Sequence, residues 1–310
     1  MNKPKHVHLL QQEDLRWFNV TKNSAEEINY LKSNFSFHSL DLQDCLPPNQ
    51  RPKLVERQEY IFMILLFPVY NRKTKEIKPV EIDLFISHNL LVTVHDNQLA
   101  PIRELFSHCQ KNKAFREEIF SQGVSSILYE ILNRLLNYCF PMLVHINNDI
   151  EEAENKIFNR QGHGMIIEIS NIKRNIVNFR RAMQAHKNVI KKLVEATSRF
   201  FVNVKLNVYY SNLIDVSKEI WDLLENNRET INALHETQQS LSSYRLNQVI
   251  KALTIISVVM LPVHLVAFIF SMDAIYTPIV GSPYDFWIIL GIMIVVAGSL
   301  LTAFRKKGWW

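Results

Sequence analysis

A stripe of polar side chains lies on one face of an apolar segment near the C-terminal end of the sequence. When residues are placed at 100° intervals, as in an α-helix, nearly all polar residues of the segment share one sector about 100° wide. The sector contains Asn247, Ile250, Thr254, Ser257, Leu261, His264 and Phe268. Polar groups are costly in hydrocarbon, so this polar stripe should face other helices or water. Symmetric copies of the segment around the stripe would enclose a wet path for ions.

Two residues of this region could bind cations directly. The imidazole of His264 can coordinate transition metals or titrate near neutral pH. Asp273 follows the segment, and residues 272–285 contain no Lys or Arg. A ring of Asp273 carboxylates would attract cations and repel anions. Two alternatives stay open: Thr254 and Ser257 bond their own helix while His264 packs between helices, or Asp273 only ends a helix in water.

Two runs without a formally charged residue, 252–271 and 286–304, flank the loop 272–285. Twenty helical residues match the thickness of the hydrocarbon layer, so we predict two transmembrane helices, the first of them kinked at Pro262. A pair of buried core helices is the alternative. Aromatic residues that suit the membrane interfaces are Tyr276, Tyr284, Trp287, Trp309 and Trp310. The first run would line the pore.

Basic residues occur only on one side of the predicted hairpin. Arg245 and Lys251 precede the first span and residues 305–307 form the basic run Arg-Lys-Lys after the second. The positive-inside rule therefore places both termini in the cytoplasm and the protein in the inner (plasma) membrane, with 305–310 as a basic cytosolic tail. The first residues lack the apolar core of a cleavable signal peptide.

The first 122 residues predict an α/β (α+β) cytosolic domain. Ser24 and Glu27 form a potential capping box, and residues 60–69, 80–86 and 90–95 have the composition of strands. Residues 123–203 predict a helical hairpin. Its first helix, 124–159, would be interrupted at Pro141. The turn would be formed by Gly162 and Gly164, and residues 165–196 would return as one helix.

A single long helix is predicted from residue 204 to the end of the first span, with 204–251 as a cytosolic stalk. No Pro or Gly interrupts residues 202–251, and apolar residues recur at heptad spacing. The predicted seam consists of Leu206, Leu213, Ile220, Leu234 and Leu241, with Tyr209, Val216, Leu223 and Tyr244 at the complementary positions. A long core helix without a mechanical role is the alternative.

Several function classes lack support in the composition. The three cysteines form no CxxC pair, and seven glycines provide no phosphate-binding loop. No HExxH motif, nucleophile elbow or paired-carboxylate pattern occurs. We therefore predict that the chain is not an enzyme and has no covalent cofactor and no nucleic-acid partner.

Residues 247–256 and the run Met260, Leu261, Pro262 resemble the pore helix of the CorA-type magnesium transporter family. Ser271, Met272 and Asp273 stand where that family has its Gly-Met-Asn signature. Residues 38–53, 67–70 and 81–95 and the basic tail also resemble the family, so the likeness covers essentially the whole chain.

The resemblance implies a homopentamer in the bilayer, with a funnel-shaped cytosolic domain and a stalk helix that continues into the pore. Carried over by position, the pore positions would be Asn247, Ile250, Leu253, Ser257, Leu261, His264 and Phe268, with Ser271, Met272 and Asp273 at the mouth. Leu253 and Leu261 would form apolar rings suited to gating by dewetting. Asp273, Asn247 and His264 would be the metal-binding residues.

The resemblance also implies a cargo. In that family an asparagine at the mouth is thought to hold a largely hydrated Mg²⁺. Asp273 replaces it, His264 stands where Thr is common, and Phe268 stands where Gly is common. We therefore expect a passive divalent-cation channel or transporter for Mg²⁺, with Zn²⁺, Co²⁺ and Ni²⁺ as contenders, and regulatory divalent ions on the cytosolic domains. The alternative is a non-conducting membrane sensor or scaffold.

Overall fold

The computed structural model describes residues 3–158, 164–200, 204–272 and 278–308. The chain divides into two compact units, an N-terminal unit Met1–His235 and a C-terminal unit Glu236–Trp310, and each is described by itself. The predicted roles of Asp273, Gly162, Tyr276, Trp309 and Trp310 concern residues that lie outside the described ranges. The predicted limits of the cytosolic domain, the helical hairpin, the stalk, the two spans, the loop between them and the basic tail stay predictions.

A six-stranded mixed sheet forms the centre of the N-terminal unit. Its strands are β1 Val7–Gln12, β2 Leu15–Val20, β3 Lys53–Glu56, β4 Ile61–Asn71, β5 Glu76–Ile86 and β6 Leu90–His95. The order across the sheet is β1-β2-β6-β5-β4-β3. Only the β2–β6 pair is parallel, and the other described pairs are antiparallel. The three strands predicted from the sequence are thereby confirmed, and β5 begins four residues earlier than predicted.

Helices cover both faces of the sheet. The helices in the described part of the chain are, in order, α1 Ala25–Asn34, α2 Ser39–Asp44, α3 Ala100–Lys111, α4 Lys113–Phe120, α5 Val124–Asn137, α6 Cys139–Phe158, α7 Met165–Met183, α8 His186–Phe200, α9 Val204–Phe270 and α10 Asp285–Lys306. Side chains alternate along β4, so that Phe62 and Ile64 join the core beneath α1 and α2. Phe67 on the other face packs edge-on against His186 of α8, with ring centroids 4.7 Å apart.

The capping box is only partly present. Ser24 is the N-cap of α1, as predicted, but its side chain makes no cap hydrogen bond. Its hydroxyl donates to the carboxylate of Glu27 instead. The helix continues to Asn34.

The helical hairpin differs from the prediction at two points. The break in the first helix lies at Tyr138, and Pro141 lies in the first turn of α6, where a missing backbone N–H costs nothing. The returning segment is two helices, because α7 ends at Met183 and α8 begins at His186. His186 is completely buried against β4, and this packing overrides the helical propensity of the sequence.

The buried seam of α9 within the N-terminal unit differs from the predicted seam. Each residue predicted at a complementary position in this unit is replaced by the next residue along the helix. Leu213, Ile220 and Leu234 are buried as predicted, but Tyr209 and Leu223 are exposed. The complementary positions are instead Tyr210, Ser217, Leu224 and Ile231. Tyr210 fixes this rotation, because its hydroxyl donates to the Ser125 carbonyl at 2.7 Å.

The C-terminal unit consists of the last part of α9 and α10. Both contain an 18-residue apolar stretch of which 0% is buried, which fits helices that cross a membrane. The helix α9 continues through Pro262 without an end there. The second predicted span, 286–304, lies entirely within α10.

Candidate functional site

All seven predicted pore positions are exposed in the single protomer. Leu261 and Phe268 are each 70% exposed, and Leu253 is 59% exposed. Asn247, Ile250, Ser257 and His264 are exposed as well. These positions lie on α9 within a sector about 120° wide at 100° per residue. The helix therefore presents this whole face to something outside its own protomer.

The opposite face of α9 is the half-buried one. Its half-buried positions include Ile255, Val259, Val263, Val266 and Phe270, which lie about 180° from the pore positions. The helix α10 carries a matching half-buried row at Ile289, Ile292, Met293, Val296 and Leu300. Rows at such spacing are how packed helices meet. These half-buried rows leave the predicted pore positions on the more exposed side of α9.

Two shallow open depressions follow the exposed face. One, of about 480 Å³, combines Ser257 and His264 with the apolar side chains of Leu261 and Phe268. The other, of about 620 Å³, lies nearer the start of the C-terminal unit and ends at Asn247; its lining is Glu236, Gln239, Ser240, Ser243, Tyr244 and Asn247. The hydrophilic character of the face therefore extends beyond the apolar segment, toward residue 236.

One polar residue of the stripe bonds its own helix. The Thr254 hydroxyl donates to the Ile250 carbonyl at 2.8 Å. A hydroxyl bonded to its own helix was the alternative to a pore-lining role, and for Thr254 this bond is present. The residue is also only half-buried, whereas Ser257 is exposed.

The metal-binding residues predicted from the sequence do not form one compact site in a protomer. Asn247 and His264 are 17 residues apart on one continuous helix, which separates them by roughly 25 Å along its axis. Within the described ranges, no group of three or more His, Cys, Asp or Glu side chains is placed to hold a metal ion. A cation would therefore meet these residues one after another, or meet several copies of each.

The mouth is described only in part. Ser271 and Met272 follow the last turn of α9, and both are exposed. The Ser271 backbone N–H still bonds the Ala267 carbonyl at 3.0 Å. Asp273 lies outside the described residues. On the far side of the loop, Asp285 begins α10, and its carboxylate accepts the Gly281 backbone N–H at 3.2 Å.

Sequence reasoning missed a pair of buried carboxyl groups in the N-terminal unit. Glu81 and Asp83 lie two residues apart on β5 and are 7% and 2% exposed. Burial raises the pKa of Glu81 to about 7, and burial together with the Glu81 charge raises the pKa of Asp83. The backbone N–H of Gln50 donates to Glu81. The Glu-Ile-Asp alternation resembles a solvent-facing strand edge, so no sequence signal distinguishes it.

A mixed sheet between helices, a long helix, and two apolar helical stretches that are not buried are the features of a membrane protein. The family model described as "CorA-like Mg2+ transporter protein" matches residues 12–306, and the chain belongs to this family. The predicted family is confirmed. Because it is a family of transport proteins, the prediction that the chain is not an enzyme is confirmed too.

The similarity extends over nearly whole relatives. The cobalt/magnesium transport protein CorA of Methanocaldococcus jannaschii is 23% identical over 303 residues, which are 96% of this chain and 92% of that protein. The protein of the same name from Thermotoga maritima is 23% identical over 295 residues, 94% and 83% of the two chains. The complete structure of the M. jannaschii CorA magnesium transporter superposes with a TM-score of 0.84 at 21% identity, covering 97% of this chain and 93% of that one. The predicted fold class is confirmed.

Proposed function

We propose that the chain is a passive transporter of divalent cations across the cytoplasmic membrane, with Mg²⁺ as its principal cargo and Co²⁺, Ni²⁺ and Zn²⁺ as competitors. Family membership supports the transported class, and the M. jannaschii and T. maritima relatives are both named as cobalt/magnesium transport proteins. Basic residues occur before the first span and after the second, which supports a cytoplasmic position for both termini.

The observation that carries the proposal is the side of α9 that remains uncovered. The apolar face of α9 is half-buried, while the predicted pore positions, with Asn247, Ser257 and His264, are exposed. In lipid such a face is costly, because hydroxyl, amide and imidazole groups would lose their hydration. A homopentamer that turns this face inward removes the cost, since the polar groups then line a wet path.

The pore positions would act on the cation in sequence. Asp273 at the mouth would concentrate cations through a ring of carboxylates. A hydrated Mg²⁺ would then pass the apolar ring of Leu261 and the hydroxyls of Ser257, and Asn247 would be the last amide ring. His264 provides imidazole nitrogens, which bind Co²⁺, Ni²⁺ and Zn²⁺ better than they bind Mg²⁺.

Uptake into liposomes tests the proposal. Purified protein reconstituted into vesicles should import Mg²⁺ down its gradient without an added energy source, and Co²⁺, Ni²⁺ and Zn²⁺ should compete. Asp273→Asn should lower the uptake rate at low cation concentration, since the ring of charge is lost. Asp285→Asn is the matched control, because it removes a carboxylate on the same side of the membrane and should leave the rate unchanged.

The same preparation reports the assembly. Native mass spectrometry from lipid nanodiscs should give five copies per particle. A monomer, or protein that imports no divalent cation under any gradient, would contradict the proposal and favour the non-conducting sensor.

A further inference from the structure

A cavity of about 330 Å³ lies in the N-terminal unit, far along the chain from the polar stripe. It is formed where the end of β4 meets the start of α6 and the side of α7. Its walls include Tyr70, Arg72, Tyr138, Met142, His145 and Asp149. This volume is at the lower end of the range for small-molecule sites.

The polar walls come from two rigid elements. Tyr70 belongs to β4, and Arg72 follows directly after its last residue. His145 and Asp149 are four residues apart on α6, so their side chains project from the same side of that helix. The rings of Tyr70 and His145 meet nearly at right angles, with centroids 5.3 Å apart. The cavity lining thus combines an aromatic pair with a guanidinium and a carboxylate.

Two charged side chains line the cavity, of which Arg72 is exposed and Asp149 is half-buried. Within the part of the chain that the structure describes, neither makes a hydrogen bond or an ion pair, although His145 and Lys75 lie near Asp149. Neighbouring charges are paired: Arg174 contacts Glu76 at 2.9 Å and Lys156 contacts Glu168 at 2.9 Å. Burial raises the pKa of Asp149, while nearby His145 lowers it, so this carboxyl lies in a partly desolvated place.

The frame of the cavity is held before any ligand arrives. The Asn175 side chain on α7 accepts the Ile77 backbone N–H at 2.9 Å and donates to the Lys75 carbonyl at 2.9 Å. These bonds fix the β4–β5 hairpin against α7. The floor is apolar, with Ile77 and Ile146 buried. A preformed pocket with an apolar floor and unpaired polar groups is the common form of a ligand site.

We propose that this cavity binds a small amphoteric organic molecule, whose anionic group pairs with Arg72 and whose ammonium or N–H donor pairs with Asp149. A flat apolar body attached to these groups would pack against Tyr70 and Met142. Arg binds carboxylate and phosphate groups in a bidentate manner, so both are suitable anions. An aromatic amino acid and a purine nucleoside monophosphate share this chemistry, and the experiment separates them.

Titration calorimetry on the full-length protein in detergent, with L-phenylalanine and adenosine monophosphate as probes, tests the site. One of the two probes should bind one site per chain with a Kd below about 1 mM. Its truncated analogue, phenethylamine or adenosine, lacks the anion and should bind at least about tenfold more weakly, a difference of about 1.4 kcal/mol. This comparison uses the unchanged protein, so it decides the question even if a variant does not fold.

Variants locate the binding. Arg72→Gln and Asp149→Asn should each weaken the binding at least about tenfold. The exposed neighbours Lys73→Gln and Glu151→Gln are matched controls and should leave the Kd unchanged. The proposal is overturned if neither probe binds at up to about 10 mM, or if both cavity variants bind as the unchanged protein does. Because binding and not flux is measured, such a failure would leave the transport proposal untouched.

Discussion

The side-chain amide of Asn175 on α7 accepts the backbone N–H of Ile77 on β5 at 2.9 Å, across 98 residues of sequence. The same side chain donates to the carbonyl of Lys75 at 2.9 Å. Asn175 is 6% exposed and Ile77 is 1% exposed, so water cannot replace the bond to Ile77, whereas Lys75 is exposed. One buried amide therefore satisfies two backbone groups beside the turn of the β4–β5 hairpin and joins the sheet to the helical layer.

Asn175→Ala should lower the free energy of unfolding by about 1–3 kcal/mol, because the buried backbone N–H of Ile77 loses its partner. Asn178→Ala is the control. The Asn178 side chain donates to the backbone carbonyl of Ile77 at 2.9 Å, but Asn178 is only partly buried. Its loss should cost less than about 1 kcal/mol. Denaturant unfolding of the full-length protein in detergent measures both. Equal losses would contradict the role assigned to Asn175.

The buried carboxyl pair predicts a stability that falls as the pH rises. Burial raises the pKa of Glu81 from 4.5 to about 7, so the folded state holds this proton more tightly than the unfolded chain does. The resulting stabilisation is complete below about pH 4.5 and is lost as the pH rises through about 7. Its size is on the order of 3 kcal/mol. The raised pKa of Asp83 acts in the same direction.

Melting of the full-length protein between about pH 5 and pH 8 measures this effect. Glu81→Gln should flatten the profile and raise the melting temperature at the alkaline end, because a neutral amide replaces a carboxylate that burial disfavours. Glu59→Gln changes an exposed carboxylate next to the same strand and should keep the slope. An unchanged slope in Glu81→Gln would refute the assignment.

Cysteine labelling tests which side of α9 is wet. The native Cys45, Cys109 and Cys139 are each 0% exposed, so an added cysteine is labelled against a low background. Ser257→Cys should react with a charged, membrane-impermeant thiol reagent, and the modification should block cation uptake. A thiol ionises in water but not in lipid, so Val295→Cys on α10 should stay unlabelled. Labelling at Val295 and none at Ser257 would reverse the proposed orientation.

The apolar rings predict a gain of flux. Leu261 is 70% exposed on the face proposed to line the pore, where a ring of leucines would exclude water from a narrow path. Leu261→Asn should raise Mg²⁺ uptake severalfold, because the hydrated ion passes a polar ring more easily. Leu261→Met conserves the volume and the apolar character, so it should transport at the original rate. If both variants match the unchanged protein, Leu261 does not limit conduction.

The membrane region and the strands were the easiest parts to predict from the sequence. Lipid demands about twenty uncharged residues per helix, and no other constraint competes with that demand. The run 286–304 lies within α10 and the run 252–271 lies on α9 apart from Ser271, while their limits as membrane spans stay predictions. The apolar β4 and β6 were similarly clear, because both of their faces are buried.

Tertiary contacts account for the points that the sequence could not supply. The rotation of α9 is set by Tyr210 and its distant partner Ser125, and a heptad pattern fits Tyr209 nearly as well. The break before α8 depends on burying His186 beneath β4. The roles of the pore positions are still predictions, because they concern contacts between copies of the chain.

The position of β6 in the sheet also bears on the synthesis of the protein. The last strand of the sheet, β6, ends at His95. One edge of β2 stays unpaired during synthesis until β6 has been made and pairs with it. Roughly 150 further residues are translated before the first apolar span, which takes on the order of ten seconds at common elongation rates. The sheet therefore has time to close before the first apolar span leaves the ribosome.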